Sequence, residues 1–510
     1  MSAQIPEKNR PSAPARSAPL YCARRVQQLF PPEQQPQVFA FLTDVRARLS
    51  LSRKHTEQML CDHLSALDCL VGRGRSLEEA MRKLSPAQLS DFYLVERKDW
   101  YPLDHAAKVY PMSMSLKRMM VFRLSGYLKE PVVPALLQMA LNYTVRRFPY
   151  FATTIKCGFF WHYTDSAMRR FAVKPETKLP CAVMKLGNVT SPAFRVVYYE
   201  NRVSVEFFHI LTDGTGASIF LGTLLTVYLR LLGYDVPDGA GMFHVGQKPS
   251  PEEWRDDFTI GDPAPESHGF ADKPALQMRG MLPYEQPNRV LHFHFSTQGL
   301  LACARAHQVS ITALLLGCMF LACKDACPSH KTRKRIQIQL PVNMRRFYPS
   351  HTLRNFSMYC VIRLHPDEIR GLEDILPLIA SQIAQGTAKQ ALDQTMQLSR
   401  KLVKYLRFVP LMVKRPLSYL IYGALSDAVF TTTFSNLGVV QASPEMSALV
   451  EKFDFVLGAP IQNRACCSLC SFGDCAVFTV TKNTQLTLFE DSLYQRFCEL
   501  GLEPMVEGSL

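Results

Sequence analysis

Apolar positions near the start of the chain recur at helical spacing. Phe39, Phe41, Leu42, Val45 and Leu49 form one stripe, and Met59, Leu60, Leu64, Leu67 and Leu70 form a second. Gly72 and Gly74 close the second helix, and Ser76 and Ser85 are placed to cap two more. The pattern predicts a small helical module over residues 21–95, behind a disordered lead of Pro, Ser and Ala at residues 1–20.

The pattern changes near Asp99. A strand is expected at Met119–Leu124, a helix from Pro134 to Arg147 with Pro at its first turn, and strands at Ala152–Lys156 and Phe159–Tyr163. Phe194–Tyr199 and Val203–Phe208 are rich in β-branched and aromatic residues and flank Glu200-Asn201-Arg202, the signature of a hairpin. Tyr234–Pro287 is rich in Pro, Gly, Asp and Glu and reads as a long crossover. A second lobe follows. It has strands at Val290–Phe295, Ile336–Leu340, Asn355–Leu364, Val429–Phe434, Val477–Thr481 and Gln485–Phe489. Helices are expected at Gln298–His307, after Ser310, across Pro366–Tyr422 and at the end of the chain. Strands interleaved with helices in two lobes predict an α/β (α+β layered) architecture. The boundaries are 96–285 for the first lobe with its crossover and 286–510 for the second.

Composition narrows the class. Of 510 residues, 47% are hydrophobic and 20% charged, which is globular. Lys and Arg exceed Asp and Glu by 58 to 44, a net charge of +14. That excess favours anionic partners. The charge is spread, with no long basic run, so a phosphate-bearing small ligand fits at least as well as nucleic acid. The fifteen cysteines are scattered and odd in number, which points to a reducing, cytoplasmic setting rather than a disulfide framework. No signal-peptide pattern opens the chain, and the most apolar run, Ala313–Cys323, is too short to span a bilayer.

The candidate chemistry lies in His209-Ile210-Leu211-Thr212-Asp213-Gly214. A strand delivers His209 at its end, Gly214 and Gly216 permit a sharp strand-to-helix turn, and Thr212 or Thr215 can cap the helix that follows. An imidazole titrates near neutral pH, which suits a general base. Asp213 is too close in sequence to be assumed its acid partner, and a salt bridge that fixes the turn is the natural role.

His209, Asp213 and Gly214 match the His-x-x-x-Asp-Gly motif, and further segments agree with it. The chain resembles the chloramphenicol acetyltransferase-like superfamily of acyltransferases, and within it bacterial alcohol acetyltransferase-like proteins. The segment Trp100–Pro111 resembles the opening of that group, with His105 where its pattern carries Asn. Leu340–Arg345, with Leu353-Arg354-Asn355-Phe356, resembles its mid-chain signature, and Ser435-Asn436-Leu437-Gly438 its late motif. The resemblance covers about residues 98–505 and leaves the N-terminal helices outside.

The resemblance implies two lobes with a tunnel between them, entered by acyl-CoA from one face and an alcohol from the other. His209 would act as general base, Asp213 would pair with Arg345, and Ser435 or Thr433 would face the tunnel, Ser435 as donor to the oxyanion. Asn436 would brace the turn. An acyl carrier protein as donor, or a non-catalytic binding module with the N-terminal helices as its docking element, remain alternatives. No metal is expected. Cys467 and Cys470 have C-x-x-C spacing but lack a usual second pair, and His292 and His294 share one strand face. Lys331, Arg333, Lys334 and Arg335 form either a solvated turn or a contact for the CoA 3′-phosphate.

Overall fold

The structure, a computed structural model, describes residues 22–89, 100–108, 110, 119–166, 169–184, 192–260, 273–281, 289–328, 332–414, 416, 429–458 and 463–508. Helices α1 (Ala23–Leu29), α2 (Gln35–Ala47), α3 (Arg53–Gly72) and α4 (Leu77–Lys83) come first. Ser76 caps α4 by accepting the Glu79 N–H at 3.2 Å. The two apolar stripes bury Leu42, Leu60, Leu64 and Leu67 completely or nearly so, in a core continuous with that of the first lobe. Asp62 on α3 anchors the join, taking Arg170 at 2.6 Å and the Asn142 amide at 3.1 Å. The N-terminal helices therefore share the first lobe's core and have none of their own.

The first lobe contains β1 (Trp100–Pro102), β2 (Val121–Leu128), α5 (Pro134–Val145), β3 (Thr153–Cys157), β4 (His162–Ser166), β5 (Val173–Pro175), β6 (Phe194–Tyr199), β7 (Arg202–Phe208) and α6 (Gly214–Leu232). The β6–β7 hairpin turns at Glu200, whose φ is +48°. Strand β2 is buried at every position, so its sequence shows no polar–apolar alternation. Its charge is matched across the sheet: Arg123 lies opposite Glu206 on β7, which lies opposite Arg195 on β6. Arg123 meets Glu206 and Glu176 at 2.6 Å each, so no buried charge is left alone. Helix α6 is long and apolar enough to cross a membrane, yet most of it is buried in this core.

The second lobe contains β8 (Arg289–Ser296), α7 (Thr297–Ala306), α8 (Ile311–Ala326), β9 (Ile336–Asn343), β10 (Ser357–Leu364), α9 (Leu372–Gly386), α10 (Lys389–Tyr405), β11 (Thr432–Val439), α11 (Pro444–Ser447), β12 (Val450–Leu457), β13 (Ala465–Phe472), β14 (Cys475–Lys482), α12 (Leu488–Glu499) and β15 (Met505–Gly508). Seven strands form one mixed sheet in the order β10-β9-β11-β13-β14-β8-β15, with β11 parallel to both neighbours. Strand β12 leaves this lobe and pairs with β2, completing the first lobe's sheet in the order β12-β2-β7-β6-β5. One element thus crosses the boundary expected at 285/286.

One local reading is corrected. Gln485–Phe489 is not a strand, because α12 begins at Leu488, where Glu490 and Asp491 in its first turn complement the helix dipole. The cysteine-rich stretch forms the β13–β14 hairpin. Cys467 and Cys470 are fully buried, and the Cys470 thiol donates to the Phe453 carbonyl of β12 at 3.3 Å.

Candidate active site

The site forms where β7 ends. After Phe208 the chain leaves the sheet, with the His209 N–H donating to Met120 O at 2.9 Å and Leu211 N–H to Phe208 O at 3.1 Å. Asp213, rather than either threonine, caps α6: its Oδ1 accepts from Thr215 N at 3.2 Å and Gly216 N at 3.3 Å. A carboxylate at this position also complements the positive end of the helix dipole. Thr212 instead donates to Leu353 O of the second lobe at 2.6 Å.

Asp213 joins the two lobes. Its Oδ2 accepts from Arg345 Nη1 at 2.7 Å, Phe356 N at 2.9 Å and Ser357 Oγ at 3.2 Å. Burial pushes this carboxyl up, but the Arg345 guanidinium and the converging N–H groups outweigh it and hold the group below the usual carboxylate range. Arg345 spends its other donors on Thr352 O at 2.9 and 3.2 Å, Arg354 O at 2.7 Å and Asn343 Oδ1 at 3.2 Å. Both groups are saturated, so neither is free to exchange a proton or bind an anion.

His209 is held from the second lobe by Asn355. The Asn355 amide nitrogen donates to His209 O at 2.9 Å and to Asp104 Oδ2 at 3.4 Å, which leaves Asn355 Oδ1 facing His209 Nδ1 at 2.9 Å. An amide so oriented requires the imidazole proton on Nδ1. Nε2 then carries the lone pair and makes no hydrogen bond among the described residues. Tyr110 stacks on the ring at 4.9 Å between centroids, and Phe122 lies 5.0 Å from it. Burial in this aromatic slot lowers the imidazole's affinity for a second proton, against the opposing pull of its own backbone, Asp213 and Asn355. The neutral form, the one a general base needs, is favoured.

Behind Asn355, Asp104 is fully buried and accepts from Ala107 N at 2.7 Å. Burial pushes its carboxyl up to about 6 despite the nearby Arg354. Asn355 stands in the mid-chain segment and Asp104 and Tyr110 in the opening segment, but sequence reading gave none of them a role. The contacts that join them to each other and to His209 span more than ninety positions, and only the motif-like setting of each is visible in the sequence.

Space at the turn explains the glycines. A Cβ on Gly214 would lie 2.9 Å from Leu437 Cδ1 of β11, and one on Gly216 would lie 2.4 Å from Leu353 O. The structure thus brings His209, Asp213, Gly214 and Arg345 together. Ser435 stands on the strand whose Leu437 touches Gly214, opposite Ser468 of β13, and is partly buried. Its hydroxyl makes no hydrogen bond among the described residues. Thr433 donates to Gln339 at 3.0 Å. Asn436 donates to Thr312 at 3.0 Å and accepts from Gly438 N at 2.8 Å, bracing the turn. Strand β11 runs through this motif instead of ending before it.

A cavity of about 870 Å³ opens beside the Trp100–Lys108 segment, lined by aromatic residues of β1 and the β3–β4 hairpin and by cations of α10. His209 is not in its lining. Arg333, Lys334 and Arg335 are exposed at the start of β9, some seven residues and roughly 20 Å from its site end at Asn343. Lys331 lies outside the described residues. His292 meets Thr479 Oγ1 at 2.9 Å and His294 meets Glu507 at 3.1 Å.

No family model and no curated protein matches the sequence. Solved structures do match its shape. TRI3 trichothecene 15-O-acetyltransferase from Fusarium sporotrichioides aligns with a TM-score of 0.53 at 12% identity, over 79% of this chain and 94% of that one. The first condensation domain of the calcium-dependent antibiotic synthetase aligns with a TM-score of 0.53 at 14% identity, over 80% and 98%. The starter condensation domain of rhizomide synthetase RzmA, solved in complex with C8-CoA, aligns with a TM-score of 0.52 at 13% identity, over 79% and 95%. The chain therefore has the two-lobed fold of the chloramphenicol acetyltransferase-like and condensation-domain acyltransferases.

Proposed function

We propose that this protein transfers an acetyl or other acyl group from acyl-CoA to an alcohol, in the cytoplasm, as the resemblance to alcohol acetyltransferase-like proteins implies. The observation that carries this reading is His209 at the lobe junction, with Nδ1 pinned by Asn355 and Nε2 unprotonated. Nε2 takes the proton of the acceptor hydroxyl as its oxygen attacks the thioester carbonyl. The tetrahedral intermediate collapses, the carbon–sulfur bond breaks, and the imidazolium returns the proton to the departing CoA thiolate. Asp213 and Arg345 hold the turn and take no part in proton transfer. Ser435 is assigned as donor to the oxyanion, since its hydroxyl has no other partner among the described residues. The odd number and scatter of the fifteen cysteines support a reducing compartment.

A carrier-protein thioester is the second donor considered, because condensation domains share the fold equally well. The test is free-thiol release from acetyl-CoA with a panel of alcohols and amines. Acceptor-dependent release with an alcohol supports the first reading. Release only from an acyl carrier protein supports the second, and release from neither removes both.

A further inference from the structure

The mouth of the cavity beside β1 has an unusual rim. The tip of the β3–β4 hairpin, Gly158–Trp161, is tied to the segment after α10: Leu411 N–H donates to Phe159 O at 2.8 Å, and Lys414 Nζ to Phe160 O at 2.8 Å. Lys414 also lies 3.3 Å from the centroid of Trp161, and Phe160 meets Phe408 edge-on at 6.5 Å. Two segments distant in sequence are thereby locked into one surface.

Large apolar side chains stand out from that surface. Phe159 is 73% exposed, Tyr405 77%, Phe408 74% and Met412 87%, with Trp100 at 63% on the same mouth. Scattered apolar residues need no explanation, but several this exposed on two segments tied together point to an interaction face. The charges contributed by α10 and the residues just after it at this mouth are all basic. From Gln394 to Lys414 the chain holds no Asp or Glu, while Arg400, Lys404 and Arg407 line the cavity. Lys404 and Arg407 are exposed and have no carboxylate partner among the described residues. Asp165, the one acid among the described lining residues, sits 3.6 Å from Lys156.

Aromatic and long apolar side chains interleaved with cations are what a helix or loop needs to lie in a bilayer interface. The apolar groups enter the acyl boundary and the cations meet anionic headgroups. We propose that this rim is a peripheral docking surface for anionic lipid bilayers, seated so that the cavity mouth faces the lipid. The inference stands on the rim alone and does not depend on the acyl-transfer reading.

The test is flotation of the full-length protein with vesicles of phosphatidylcholine, alone or mixed with phosphatidylglycerol. The protein should partition at least about 10-fold more strongly onto the anionic vesicles, less so as salt is raised, with a blue shift in tryptophan emission as Trp100 enters the interface. Lys404→Glu with Arg407→Glu, and separately Phe408→Ser with Met412→Ser, should each lower partition at least about 10-fold. All four side chains are exposed, so the fold should survive, and an unchanged melting curve checks this. Met505→Ser with Val506→Ser, on the exposed edge strand β15, should leave partition unchanged. No partition onto either vesicle, or equal partition of the rim variants, overturns the proposal. If vesicles are ignored but an acidic carrier protein retains the wild type and not the rim variants, the rim belongs to a protein partner and the proposal fails.

Discussion

Asn355 and His209 are bonded twice: the Asn355 amide donates to the His209 carbonyl and accepts from its Nδ1, both at 2.9 Å. A residue of the second lobe thus sets the tautomer of a residue of the first. Asn355→Ala should lower kcat about 10- to 100-fold, the usual cost of freeing an oriented imidazole, with a smaller change in KM. The pH profile should also change shape, which loss of packing alone does not cause. Unchanged kcat would show that His209 needs no such hold.

The Asp213 carboxylate accepts five hydrogen bonds, three of them from the second lobe. Asp213→Asn should destabilise the protein by about 3 kcal/mol, because Arg345 is left buried without its counter-charge. Denaturant unfolding measures this, and activity should fall in parallel. Lost activity with unchanged stability would contradict the structural role given to Asp213.

Ser435→Ala should lower kcat about 100-fold if its hydroxyl meets the oxyanion, with KM nearly unchanged. Ser435→Thr should restore part of the rate. Full activity in the alanine variant would transfer the role to another donor.

Burial lowers the affinity of His209 for its second proton. The acid limb of kcat/KM should therefore lie below about pH 6.5, with a plateau above it. The same shift bears on stability. A histidine held neutral in the fold titrates later than in the unfolded chain, so stability is lost as pH falls below about 6.5. His209→Asn should flatten that part of the stability profile. An acid limb above pH 7 would mean that the imidazolium, not the imidazole, is favoured.

The legible parts of this molecule are the local ones. His209, Asp213 and Gly214 fall within six residues, and the hairpin before them alternates clearly enough to place the turn. The cap of α6 is not legible in the sequence, because Thr212, Asp213 and Thr215 are all good capping residues and only tertiary contacts choose among them. Thr212 is claimed by Leu353 O, and Asp213 is oriented by Arg345. Strand β12 is hidden for a similar reason. Its pairing with β2 spans more than 300 residues. The roles of Asn355 and Asp104 depend on three segments meeting at one point, which no local pattern encodes.

The account rests most heavily on His209. The direct measurement is the rate of acceptor-dependent thiol release from acetyl-CoA by wild type and by His209→Ala, with both shown to be folded. The account predicts a fall of at least about 100-fold in kcat, the loss expected for a positioned general base. A variant that keeps its rate would contradict it and move the proton transfer away from His209.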